Sequence, residues 1–178
     1  MSNHFYYMGW CEGRAATDQG KKVKREEISS ELSRLAFEFF FRFSRFEFAL
    51  KENHYLQCTT VGAKAEPGWG AFSEKWRDNY EVSEEARRLL DDPPMRQVVG
   101  RGQELEWKPV TFAPKSADLD KVSQLLRVVR NNLFHGGKHG ARDWDDQQRT
   151  ESLLRSSLAI LQQLVDLSGL AQDYEGFY

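Results

Sequence analysis

Between Lys24 and Leu56 the chain carries the pattern that most narrows its fold, apolar residues on two opposite faces of one long helix. Ile28, Leu32, Leu35, Phe39, Phe43, Phe46 and Leu50 recur at the i, i+3, i+4, i+7 spacing of an amphipathic helix. Phe37, Phe41, Phe48 and Tyr55 form a second stripe about 180° around the same helix. A helix apolar on both sides cannot simply coat the surface of a monomer. Burying one Phe side chain stabilises a fold by roughly 1.5–3 kcal/mol, so several left in water would forfeit much of a small domain's marginal stability. Three covers are available: the middle of the chain, the aromatic stretch Phe5-Tyr6-Tyr7-Met8-Gly9-Trp10 near the N-terminus, or a second copy of the protein.

Two further long helices are predicted. Residues 118–137 place Leu119, Val122, Leu126, Val129 and Leu133 on one strip, with Ser116 or Asp118 as the cap and Gly136-Gly137 as the stop. After a loop from Lys138 to Arg142, a last helix over 144–168, started by Asp143 or Asp145, turns Leu153, Leu154, Leu158, Leu161, Leu164 and Val165 inward and ends near Gly169. The stretch 59–117 differs in character, because all five prolines and a group of glycines fall within it. Short helices are expected over Trp69–Tyr80 and from Ser83, an N-cap, to Leu90. A small hairpin is expected from Gln97-Val98-Val99 and Glu104-Leu105-Glu106-Trp107 around Gly100-Arg101-Gly102. The expected architecture is therefore all-α: a single domain over 1–178, built as an up-and-down helical bundle with an irregular insertion between its first helix (24–56) and its second long one.

Composition narrows the function classes. A formal net charge of −2 on 178 residues argues against a broadly basic nucleic-acid binder, so any phosphate recognition must be local. Cys11 and Cys58 are too far apart for a CxxC pair and read as reduced thiols, with no zinc site and no cofactor expected. No signal peptide and no charge-free apolar run long enough to span a bilayer is visible, so a cytoplasmic protein with no membrane partner is expected.

The local patch exists. From Lys121 to Arg142 the charged residues are Lys121, Arg127, Arg130, Lys138 and Arg142, with no acid among them. Counting ~100° per residue, Arg127, Asn131 and His135 share one strip of the helix. Arg130 and His135 lie about 140° apart on the same count, so one regular helix cannot aim both at one target. An unwound last turn, or two copies of the helix facing each other across a two-fold axis, would resolve this.

Arg130-Asn131-Asn132-Leu133-Phe134-His135 resembles the Arg, polar residue, three spacers, His signature of the HEPN family, and the Phe-rich helix with Ser44-Arg45-Phe46-Glu47-Phe48-Ala49-Leu50-Lys51 precedes it in the family's order. The likeness spans Lys24 to Tyr55 and Leu119 to Leu167. It implies a helical bundle, usually dimeric, and in many members a metal-independent endoribonuclease. A toxin or phage-defence effector held by an antitoxin or a defence-system partner is the role it implies. Gly137 stands where a subgroup of HEPN toxins carries a Tyr two positions after the His.

The residues support that chemistry. A guanidinium presents paired donors to phosphate oxygens, and an imidazole with an unperturbed pKa of ~6.5 exchanges protons near neutrality. His135 as base on a 2′-hydroxyl and Arg130 against the charged phosphorane would cleave RNA to a 2′,3′-cyclic phosphate and a 5′-hydroxyl without metal. One His does not readily serve both oxygens, whereas a homodimer supplies a second His135 and Arg130. Asn131 would orient the ring or contact phosphate, and Arg127, Lys138, His139 and Arg142 would bind substrate. Each residue has a plainer alternative. His135 can bond the last carbonyls of its helix, and Arg130 can form a structural ion pair with Glu47 or Glu151. Glu47 either pairs with Lys51 one turn on or reaches inward to hold a motif arginine. Trp69, Trp76 and Trp107 are bases' stacking partners or core plugs. The competing reading of the whole chain is a non-catalytic module that binds nucleic acid or nucleotide, or assembles with a partner.

Overall fold

The computed structural model describes residues 28–135 and 146–176, the side chain of His135 excepted. Within them the fold is helical apart from one two-stranded hairpin. In chain order the elements are α1 (Ser30–Glu52), α2 (Trp69–Trp76), α3 (Glu84–Asp91), β1 (Arg96–Val99), β2 (Leu105–Lys108), α4 (Asp118–His135), α5 (Gln147–Ser168) and α6 (Ala171–Glu175).

Local chemistry explains the boundaries. Ser29 caps α1, its Oγ accepting from the Leu32 amide at 2.9 Å. The same hydroxyl donates to Glu151 of α5, so the cap also ties the two long helices together. Helix α1 stops at Glu52 rather than continuing to residue 56, because His54 turns left-handed (φ 64°) and the Tyr55 amide returns to the Leu50 carbonyl at 2.8 Å. Ser83 caps α3 as expected. Neither expected cap serves α4: the Ser116 hydroxyl donates to the Ala113 carbonyl, and Asp118 pairs with Lys121. Instead Asp120, in the first turn, reaches back to the Ala117 amide. Helix α5 is capped by Asp146, whereas the expected starters Asp143 and Asp145 lie outside the described residues. It ends on the left-handed Gly169 (φ 69°), which has no Cβ to oppose that conformation.

The packing gives 59–117 a share in the core. Helix α1 lies mainly along α5 and α6, while α4 leans on α2 and α3 as well as on α1 and α5. Trp69, Phe72, Ala86 and Leu89 join Phe39, Phe43, Phe46, Leu126, Val129, Ile160 and Leu161 in one core. The two short helices of this insertion thus pack against α4 and help to enclose the core. The hairpin pairs Arg96 with Lys108 and Val99 with Leu105, leaving the apolar pair at its tip exposed.

The second stripe of α1 divides. Tyr55 packs edge-on against Phe72, and its hydroxyl accepts from the Trp76 indole at 3.0 Å. Phe48 is half-buried under the Arg45 guanidinium. Phe37 and Phe41 stay exposed, and Phe40 with them. Within one chain the middle segment covers only the far end of the stripe.

Candidate functional site

The last two turns of α4 bring the motif to the surface beside the stretch of α1 from Phe40 to Glu47. Arg130 lies on the side of α4 that faces α1, one turn on from the buried Leu126. Its Nη2 donates to Glu47 Oε1 at 3.4 Å, and the guanidinium carbon sits 5.3 Å from the Phe43 ring centroid. Its side chain is 31% exposed and that of Glu47 22%, so the pair sits at the protein's edge, partly withdrawn from water. Among the described residues the buried Nε of Arg130 has no acceptor.

Glu47 settles between its two sequence readings. It turns inward to the motif arginine, and among the described residues it forms no ion pair with Lys51. Its Oε1 takes a second donor, the Trp69 indole N–H, at 3.0 Å. The arginine-rich run that looked free of acid in sequence is therefore partly neutralised from another helix. Of the two acids considered as partners of Arg130, Glu151 is engaged elsewhere, with Ser29 and Arg155.

Arg127 is exposed, and its Nε donates to the Ser123 carbonyl at 3.4 Å. Desolvation of its head group lowers its proton affinity below the ordinary arginine value although the residue as a whole faces water, with the Arg130 charge acting in the same direction and Glu47 against it. The two arginines thus sense each other, with Glu47 as their shared counter-charge. A phosphate arriving here would relieve the same repulsion.

The adjacent asparagines part company. Asn131 is exposed on the strip with Arg127. Asn132 is 7% exposed, and its Nδ2 donates to the Met95 carbonyl at 2.7 Å, fastening the hairpin to α4. That inward placement was legible, since Asn132 follows Val122, Leu125 and Val129 at helical spacing. Phe134, also on the outer strip, contacts Phe40 of α1 at 5.0 Å between centroids. With Phe37 and Phe41 these rings form an exposed aromatic face at the motif end of α4. The helical pattern alone did not join Phe134 to Phe40.

His135 ends α4, but its side chain lies outside the described atoms, as do Lys138, His139 and Arg142 altogether. Trp69 and Trp76 both spend their indole N–H groups on their own chain, on Glu47 and Tyr55. The 4% exposure of Trp69 excludes it as a base-stacking surface and makes it a core residue with one polar task. That task, 22 residues from its acceptor, had no local signal in the sequence. Among the described residues no three His, Cys, Asp or Glu converge to hold a metal ion, and no helix is long and apolar enough to cross a membrane.

Comparison with models of protein families, with curated proteins and with solved structures finds no match to this chain.

Proposed function

We propose that this protein is a metal-independent endoribonuclease of the HEPN type, a helical bundle acting as a homodimer in which two motif helices compose one active site. The observation that carries the reading is Arg130, half-exposed beside Arg127 at the end of α4, oriented by Glu47 and seated on Phe43. A guanidinium placed this way is held for an anion rather than left to sweep through solvent. In the proposed reaction His135 removes the proton of a 2′-hydroxyl, the oxygen attacks the adjacent phosphorus, and Arg130 and Arg127 offset the charge of the phosphorane. The partner copy's imidazolium then protonates the departing 5′-oxygen, leaving a 2′,3′-cyclic phosphate and a 5′-hydroxyl. Asn131 steadies the ring or the phosphate.

A second copy is supported by the aromatic face. Phe37, Phe40, Phe41 and Phe134 are between 45% and 68% exposed, and rings of this size leave roughly 400 Å² of apolar surface open. A standard interface buries about 800 Å² per partner, so this face would be its apolar centre, and its position beside the end of α4 brings the two motifs near one axis. The resemblance further supports a cytoplasmic toxin or phage-defence effector held by a partner protein.

The ion pair itself favours a second reading. If Glu47 is the permanent partner of Arg130, the protein is a non-catalytic module that binds RNA or nucleotide weakly, or assembles through its aromatic face. Incubation of labelled single-stranded RNA in EDTA separates the two. Wild type is expected to cut and leave cyclic phosphate ends, with His135→Ala slower by about 10²–10⁴-fold and still folded. Cutting by His135→Ala at close to the wild-type rate refutes the nuclease proposal, and RNA binding without any cutting by wild type supports the second reading.

A further inference from the structure

We infer that Trp69, from the middle segment of the chain, is a positioning residue for Arg130 that acts by keeping Glu47 from closing on it. This step rests on the reading of Arg130 as a phosphate-binding group. Both donors meet the same carboxylate oxygen: Trp69 Nε1 at 3.0 Å and Arg130 Nη2 at 3.4 Å, each to Glu47 Oε1. The indole bond is the shorter, so the carboxylate is pinned mainly by Trp69 and grips the arginine loosely through one oxygen. A carboxylate free to turn would meet a guanidinium through both oxygens, the arrangement in which the pair is strongest and in which phosphate would have to displace it. One-oxygen sharing keeps Arg130 oriented yet available.

The indole is well placed to hold that balance because it is buried among other rings. It stacks on Phe43 at 5.5 Å between centroids and leans on Phe46 at 5.1 Å. Phe43 in turn underlies the Arg130 guanidinium, so Trp69 braces the arginine through the ring as well as through the carboxylate. Just before it, the Gly68 amide bonds the Tyr55 carbonyl at 2.8 Å, and the backbone there runs so close to Leu56 that a Cβ on Gly68 would lie 2.5 Å from the Leu56 carbonyl carbon. The start of α2 is therefore registered on the end of α1, which fixes where the indole N–H points.

The test uses the intact protein and a 2′-O-methyl RNA, which can bind but lacks the attacking hydroxyl. Trp69→Phe is expected to weaken binding by about tenfold, as Glu47 closes on Arg130 with the strength of one charge-assisted bond. In a Glu47→Gln background, which has no carboxylate charge to close, the same change is expected to cost less than twofold. NMR of the arginine guanidinium groups, with Arg130 assigned through Arg130→Lys, should show slower rotation about the Nε–Cζ bond in Trp69→Phe than in wild type. Replacing Trp69 by benzothienylalanine, which exchanges the indole N–H for sulfur within the same outline, deletes the donor without a cavity and should reproduce both effects. Equal losses with and without the Glu47 carboxylate, or an unchanged Arg130 rotation rate, overturn the inference. Failure of wild type to cut ordinary RNA would refute the nuclease reading while binding and NMR still decide the role of Trp69.

Discussion

Asn131 and Asn132 are neighbours in the motif, and the structure assigns them opposite consequences. Replacing either by Ala in α4 brings the same gain in helix propensity, up to about 0.7 kcal/mol, so the difference between the two variants isolates what each side chain touches. Asn131 is exposed. Asn132 is buried, and its loss removes the 2.7 Å bond to the Met95 carbonyl. A buried bond of this kind costs about 1–3 kcal/mol when one partner is deleted, so Asn132→Ala should be less stable than Asn131→Ala by about 2 kcal/mol. With a urea dependence of about 2 kcal/mol per M, the two unfolding midpoints should stand about 1 M apart. Hydrogen exchange adds a local check, since protection of the hairpin amides between Arg96 and Lys108 should fall in Asn132→Ala alone. Midpoints within about 0.2 M of each other, or hairpin protection lost equally in both, would refute the division of the motif into a surface Asn and an anchoring one.

Three further outcomes are expected. Phe37→Ser with Phe41→Ser should convert a dimer into a monomer in sedimentation, and RNA cutting should fall with it; a double variant that remains dimeric removes the aromatic face from the interface. Glu31 is held down from the ordinary value near 4.5 to about 2 by its bonds to Arg34, reinforced by Arg155. A depressed carboxyl stabilises the fold above its unfolded pKa, and that contribution disappears as pH falls from about 4.5 toward 2. Glu31→Gln should therefore flatten the acid limb of a stability profile in that window and leave the slope above pH 6 unchanged, since there the carboxyl is ionised in both states; an unchanged acid limb contradicts the assignment. Gly68→Ala would force a methyl group against the Leu56 backbone, which cannot yield as a side chain would. A loss of about 1–3 kcal/mol is expected in thermal or urea unfolding, and a neutral variant would show that α2 is free to shift.

Much of the architecture was legible because helices announce themselves locally. The stripe from Leu32 to Leu50, the Ser83 cap, the Gly169 stop and the hairpin around Gly102 all appear where spacing and turn chemistry place them. Residues 59–117 were legible as pieces but not as parts of the core, because Phe72 and Leu89 reveal their burial only when α4 and α1 are present to receive them. The site divides in the same way. The helical strip that exposes Arg127 and Asn131 follows from counting, whereas the direction taken by Glu47 does not, since Lys51 one turn away and Arg130 far along the chain are equally good partners by charge.

By itself, then, the sequence determined the helices, their inward faces and a run of arginines ending in Phe134-His135, since these depend on interactions within a few residues. Only the tertiary structure decided that Arg130 and an indole from α2 converge on an acid from α1, that Asn132 is an anchor, and that Phe40 meets Phe134. Those outcomes depend on how far each helix is rotated and slid against the next, a quantity set by the fit of the whole core and encoded in no short stretch of the chain.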